Sequence, residues 1–147
     1  MGYVLKLRQQ VGHQPLVVVG AAVLATNAVG EIALVKRIDN HCWGLPAGST
    51  EPGETTEATA QRELREETGL TVTDVQLVQV FSGPAMHYQY PNGDVIDSVT
   101  ILYRGMVTGG TLVTTTDETA GAAFFALDQL PQPLTPLTAY MLSRLQA

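Results

Sequence analysis

Gly48-Ser-Thr-Glu-Pro-Gly-Glu-Thr-Thr-Glu-Ala-Thr-Ala-Gln-Arg-Glu-Leu-Arg-Glu-Glu-Thr-Gly-Leu70 is the stretch on which the reading of this chain turns. It holds six of the eight glutamates, all but Glu31 and Glu118. Glu63, Glu66 and Glu67 stand at i, i+3 and i+4, which on a helix places them within an arc of roughly 100°. Like charges so arranged repel by a few tenths of a kcal/mol per pair, so stability alone does not select them. A hard divalent cation would convert that repulsion into coordination, because Mg²⁺, Mn²⁺ and Ca²⁺ prefer carboxylate oxygen. Thr55 or Thr56 can cap the helix and Gly69 can stop it after Thr68. Ala60 and Leu64, one turn apart beside the acids, can anchor it to a core.

Upstream, Leu16 to Ala25 is apolar and β-branched and reads as a buried strand. A turn at residues 26–30 leads to a second strand, Glu31 to Ile38, and the two are expected to form a hairpin. Residues 42–45 suggest a short strand, and Pro46 to Gly53 a loop that lets backbone approach a ligand. Residues 3–14 fit either a short helix ended by Gly12 or a leading edge strand.

Downstream, strands are expected over Val72–Phe81, Met86–Tyr90, Val95–Val107, Leu112–Thr115 and Ala120–Leu127. Asn92-Gly93 signals a hairpin, and Gly109-Gly110 a turn. Thr135 to Leu145 reads as a helix with Pro136 at its first position. The sum is a layered α/β or α+β fold with a mostly antiparallel or mixed sheet.

At 147 residues the chain is expected to form a single domain over its whole length. One cysteine, Cys42, permits no intrachain disulfide, and residues 1–10 lack a signal-peptide core. Both fit a cytoplasmic protein. No apolar run is long enough to span a membrane. The net charge of −6 argues against a nucleic-acid polymer as partner. An acidic pocket repels phosphate unless metal reverses its sign, so phosphate chemistry here requires a cation.

The quoted stretch is similar to the Nudix box, G-x5-E-x7-R-E-U-x-E-E-x-G-U, at every specified position: Gly48, Glu54, Arg62, Glu63, Leu64, Glu66, Glu67, Gly69 and Leu70. Accident produces such a match roughly once in 10⁹ start sites. Trp43-Gly-Leu-Pro-Ala-Gly48 resembles the usual lead-in W-x-L-P-G-G, with Ala47 in place of a glycine. Asp117-Glu118-Thr119 and the stretch Phe124 to Pro131 resemble the C-terminal half of the family. The resemblance implies the Nudix α/β/α sandwich, a mixed β-sheet between helices. It also implies hydrolysis at the pyrophosphate of a nucleoside diphosphate linked to another moiety.

By the same resemblance, Glu63 and Glu67 match metal ligands, Glu66 a further ligand or the holder of a catalytic water, and the Ala47 carbonyl a backbone ligand. Gly48 matches a tight turn, and Glu54 with Arg62 a structural pair. The cofactor implied is Mg²⁺, with Mn²⁺ as a substitute. Glu118, the one glutamate after Leu70, is the candidate general base outside the box. Arg37, Phe81 and Tyr88 are the candidate substrate contacts.

The stretch from Phe81 through Asp94 looks like small bacterial, ADP-ribose pyrophosphatase-like members. Pro84 falls 14 residues after Leu70, just short of the spacing in many ADP-ribose enzymes. Tyr88 falls 18 after it, as in many dinucleoside polyphosphate hydrolases. A nucleotide-derived small molecule such as ADP-ribose or a nucleotide sugar is therefore the expected substrate. A nucleoside triphosphate pyrophosphohydrolase, a dinucleoside polyphosphate hydrolase and a catalytically silent nucleotide sensor are the alternatives. The family also allows a homodimer, to which Tyr3 to Val11 could lend an exchanged segment.

Overall fold

The structure is a computed structural model and describes residues 2–145. The chain runs α1 (Tyr3–Val11), β1 (Leu16–Thr26), β2 (Ile32–Arg37), β3 (Trp43–Gly44), β4 (Ala47–Ser49), α2 (Thr56–Thr68), β5 (Leu70–Val72), β6 (Gln76–Phe81), β7 (His87–Gln89), β8 (Val95–Gly110), β9 (Thr119–Phe125) and α3 (Pro136–Leu145). A mixed sheet lies between helices, as the resemblance implies. Its spine is the parallel pair β1–β8, in register from Leu16↔Ile96 to Thr26↔Met106.

From Gly20 to Ala25 the apolar run of β1 is buried on both faces, as a central strand between two helical layers must be; its first residues are not, since Val17 and Val19 face outward and are exposed. Ala21, Val23 and Ala25 point toward α2 and pack with Leu64, Leu70, Val72 and Tyr103. Ala22 and Leu24 point the other way, into a second core with Leu34, Leu45, Leu102, Met141 and Leu142.

Helix α2 has the expected ends. The Thr55 hydroxyl accepts from the Ala58 amide, and Gly69 closes the helix in the left-handed region at φ 76°. Ala60 and Leu64 are fully buried. Residues 3–11 resolve to the helical alternative, with Gly12 as the stop. Both carboxylate oxygens of Glu51 accept from the Tyr3 amide, at 3.2 and 3.1 Å. This satisfies one of the unpaired donors at the helix start.

Several expectations are corrected. β1 and β2 do not form a regular hairpin: they pair at Thr26↔Ile32 and then diverge, because β4 takes the place beside β1 from Gly20 to Ala22. The expected Pro46–Gly53 loop therefore contains a strand. The expected Val72–Phe81 strand is two strands, broken at residues 73–75 and both paired to β8. Gly109-Gly110 is the end of β8 rather than a turn. Residues 112–115 form no strand; the Val113 amide instead donates to the Thr68 carbonyl at the end of α2. Sequence pattern cannot anticipate that partner, because it lies across the fold. No described helix is long and apolar enough to cross a membrane.

Candidate active site

The cleft is built where α2 crosses β4. Pairing to β1 sets Gly48 opposite Ala21, and the approach is close on both sides of Gly48. A Cβ on Gly20 would come within 2.6 Å of the Gly48 carbonyl oxygen, and a Cβ on Gly48 within 2.2 Å of the Glu63 carboxyl. Glycine at 48 thus makes the space that Glu63 occupies. Gly48→Ala is expected to displace that carboxylate and lower turnover on the order of 10²-fold, the cost of misplacing a reacting group by about 1 Å. Its melting temperature should change little, since the atom it meets ends a flexible side chain. Steady-state rates alongside a thermal melt check this.

Arg62 gathers the acids. Its Nε donates to Glu54 Oε2 at 2.7 Å and its Nη2 to Glu54 Oε1 at 3.0 Å. Nη2 also donates to the Ser49 carbonyl, at 3.1 Å. Nη1 reaches Glu63 Oε1 at 2.8 Å and Glu66 Oε2 at 3.3 Å. The guanidinium holds the Glu54 carboxyl down at about 2. Glu66 lies on the rim, its side chain 55% exposed.

Glu67 is buried, and its Oε2 accepts from the Ala47 amide at 3.3 Å. Burial first, then the charge of Glu63, pushes the Glu67 carboxyl well above the usual range. Burial likewise pushes Glu63 up to about 7, partly offset by Arg62 and reinforced by Glu66 and Glu118. Glu118, exposed at the mouth of β9, thus lies within electrostatic reach of both. Its carbonyl accepts from the Ile38 amide and its amide donates to Thr116 Oγ1, each at 3.1 Å.

Two chambers meet at these acids. An inner recess of about 130 Å³ is walled by Leu45, Ile96, Met141 and the tyrosines 88 and 90, with hydroxyls from Ser98, Thr100 and Thr138. An outer cleft of about 650 Å³ carries Arg62, Glu63, Glu66 and Asp94, with Val4, Leu5 and Arg8 of α1 on its far wall. Arg37, Ala47, Gly48, Glu67, Tyr90 and Glu118 line both.

Arg37 and Tyr88 reach the cleft, but Arg37 does not extend a bare cation. Its Nε and Nη2 donate to Asp39 at 2.9 and 2.8 Å, and its guanidinium stands 5.7 Å from the centre of the Tyr90 ring. Phe81 is removed from the candidate substrate contacts. It is 2% exposed and packs edge-on against Tyr140 of α3 at 5.9 Å, because the inward parity of β6 aims it at the core. Tyr90 and the α3 residues Thr138 and Met141 line the recess and were not among the candidate substrate contacts read from the sequence. The Tyr88-x-Tyr90 spacing, which puts both rings on one side of an extended segment, was the available signal for the first.

The donor set suits a hard cation: carboxylates, with the Ala47 backbone beside them, over a glycine cradle. Among the described residues no three acidic, His or Cys side chains already converge on one point, since Arg62 draws Glu63 and Glu66 toward itself. That is compatible with Mg²⁺, which binds through one or two carboxylates and takes substrate phosphates and water as its other ligands.

A glutamate-bearing helix laid over a glycine cradle on a mixed sheet defines the class: a Nudix-type phosphate cleft. The NUDIX domain model matches residues 16–145, and the chain belongs to that family. It is 33% identical over 117 residues to a Bacillus subtilis (strain 168) protein named for 8-oxo-dGTP diphosphatase, covering 80% of this chain and 72% of that one. It is 41% identical over 105 residues to the ADP-ribose pyrophosphatase of Methanocaldococcus jannaschii, covering 69% of this chain and 58% of that one. The crystal structure of a MutT NUDIX hydrolase from Burkholderia pseudomallei superposes with a TM-score of 0.71 at 33% identity, over 88% of this chain and 97% of that chain. The chain is accordingly a hydrolase of pyrophosphate bonds.

Proposed function

We propose that this protein is a Mg²⁺-dependent hydrolase that cleaves the pyrophosphate of a nucleoside diphosphate linked to a second moiety, such as a sugar. The observation that carries this is the position of the acids at the waist between two chambers. A diphosphate held at Glu63 and Glu67 would leave one substituent in the small, apolar, hydroxyl-lined recess and the other in the wide polar cleft. A base suits the first and a sugar the second.

Glu63 and Glu67, with Ala47, would hold the cation, and Glu66 would complete its surroundings. When bound, the cation supplies charge neutralisation at the diphosphate and a more acidic water. Arg62 orients the carboxylates. Glu118, free at the mouth and bathed in solvent, accepts the proton of the attacking water. Glu118→Gln is expected to lower kcat on the order of 10²-fold, the low end of general-base contributions, with KM nearly unchanged. Equal kcat in the variant would remove Glu118 from that role. On this reading the reaction runs in the cytoplasm on a small nucleotide derivative. The Tyr3 amide that opens the Tyr3 to Val11 helix donates to Glu51 of its own chain; in a homodimer the same contact could be made with the partner.

A second reading, a nucleoside triphosphate pyrophosphohydrolase, is favoured by the 33% identity to the protein named for 8-oxo-dGTP diphosphatase. A panel of ADP-ribose, nucleotide sugars, dinucleoside polyphosphates and (d)NTPs with Mg²⁺ separates the two. Two monophosphate products from ADP-ribose support the first, and inorganic pyrophosphate from a triphosphate supports the second. Nucleotide binding without turnover of any compound would favour a sensor.

The acids also predict a pH signature. A carboxyl whose folded pKa is raised holds more protons in the folded state, so its contribution to stability falls as pH rises. For Glu63 that window runs from about 4.5 in the unfolded chain to about 7 in the folded one; for Glu67 it extends upward from the same start. A cation that binds the ionised pair cancels the loss. Added Mg²⁺ or Mn²⁺ should therefore raise the melting temperature more at pH 8 than at pH 5.5, measured by differential scanning fluorimetry.

A further inference from the structure

The loop between β2 and β3, residues 38–42, lies beside the inner recess and grips both of its tyrosines. Asn40 Oδ1 accepts from the Cys42 amide at 2.9 Å, a turn that His41 continues in the left-handed region at φ 58°. The backbone N–H of Cys42 can only donate, so the oxygen end of the Asn40 amide must face it. The nitrogen end is thereby committed to the other side, where Asn40 Nδ2 stands 2.9 Å from the Tyr88 hydroxyl. An amide NH₂ can only donate, so the Tyr88 oxygen accepts. Its own proton is left over, and among the described residues that hydroxyl has no second partner.

The rings are fixed by the same loop. Tyr88 meets Tyr90 edge to face at 4.9 Å and 90°. Arg37, pinned by Asp39 at the start of the loop, lies over Tyr90. Tyr88 and Tyr90 both line the recess, and Asn40 does not.

We propose that Asn40 is a positioning residue for substrate recognition: by donating to Tyr88 it reserves the phenolic O–H of Tyr88 as a donor to an acceptor atom of the group bound in the inner recess. This rests on the reading that the recess takes the base of a nucleoside diphosphate derivative. The ligand class it selects is an uncharged heterocycle carrying a carbonyl oxygen or a bare ring nitrogen at its edge. A carboxylate at position 40 would keep the turn, since one oxygen can still accept from Cys42. Its other oxygen would face Tyr88 and take the proton, in a charge-assisted bond stronger than the one it replaces.

The test compares Asn40→Asp, Asn40→Ala, Tyr88→Phe and the double variant Asn40→Asp/Tyr88→Phe, with whichever nucleotide of the panel the parent hydrolyses. One neutral hydrogen bond lost corresponds to about a 3- to 10-fold effect. Asn40→Asp and Tyr88→Phe should each raise KM by that factor with kcat held, and the double variant should be no worse than either. Asn40→Ala, which frees the hydroxyl without consuming its proton, should fall between them and the parent. Tyr88→Phe keeps the ring and provides a folded control if a change at Asn40 disturbs the loop, as followed by thermal melts. Parent-like KM in Tyr88→Phe, or additive losses in the double variant, would overturn the proposal. Absence of turnover in the parent would instead count against the substrate reading, and absence of nucleoside monophosphate binding by calorimetry would remove both.

Discussion

Glu67→Gln is expected to cost two to three orders of magnitude in kcat and, in the same protein, to raise the melting temperature measured without divalent cation. The two effects have one cause. Glu67 is the most deeply buried acid of the cleft, and its carboxyl is pushed up by desolvation and by Glu63. Glutamine keeps the shape and an oxygen for the Ala47 amide while removing a charge that the fold bears at a loss near neutral pH. Relief of that loss should amount to a few degrees at pH 8, with less at pH 5.5, since a carboxyl pushed upward bears less charge as pH falls. The rate loss follows if the carboxylate serves to hold a divalent cation, whose charge stabilisation is worth several kcal/mol in such reactions. The variant should also lose most of the cation-dependent rise in melting temperature. A variant as active as the parent would show that Glu67 is not a metal ligand.

Arg62→Met should be the most destabilising single change in the cleft. The guanidinium joins the loop before α2, through Glu54 and the Ser49 carbonyl, to the face of α2 that carries Glu63 and Glu66. Methionine keeps much of the stem and none of the donors. Glu54 and Ser49 then lose charge-assisted partners in a partly enclosed site, at a cost on the order of 2–4 kcal/mol. For a chain of this size that lowers the melting temperature by roughly 5–15 °C. Activity should fall as well, because Glu63 and Glu66 lose the group that orients them. Arg62→Lys should recover part of the stability, since a point charge cannot reproduce the fork that meets Glu54 through two nitrogens.

Acid titration gives a second readout on the same contact. The Glu54 carboxyl is held at about 2 against an ordinary 4.5. A depressed acid contributes stability above its unfolded pKa and loses it as pH falls through the folded one. The parent should therefore lose stability between about pH 4.5 and 2, and Arg62→Met should lack that component.

Much of the fold and site was legible in the chain itself, and the reason is locality. The helix over residues 56–68, its Thr55 cap, its Gly69 stop and its one-sided row of acids are set by neighbours within a turn or two. The same holds for the strand character of β1, whose apolar run is covered on both faces from Gly20 to Ala25 and open on one face at Val17 and Val19, and for the hairpin at Asn92-Gly93. The box is compact enough in sequence that the family could be read from it.

What only the tertiary structure decided depends on atoms brought together from distant positions. The parallel register of β1 with β8 joins residues some 80 apart, and nothing in either strand's own pattern specifies a partner. Phe81 and Tyr88, both aromatic and both near the same turn, part company because one faces the α3 core and the other the recess. Arg37 turned out to be paired with Asp39 and laid over Tyr90, which changes it from a bare cation into part of a wall. Glu118 came within electrostatic reach of Glu63 and Glu67 because β9 pairs with β2, bringing its start to the far edge of the cleft. The sequence alone determined the acidic helix and the chemistry it suits. Which side chains face that helix across the cleft was decided by strand pairing over long separations, where local pattern carries no information.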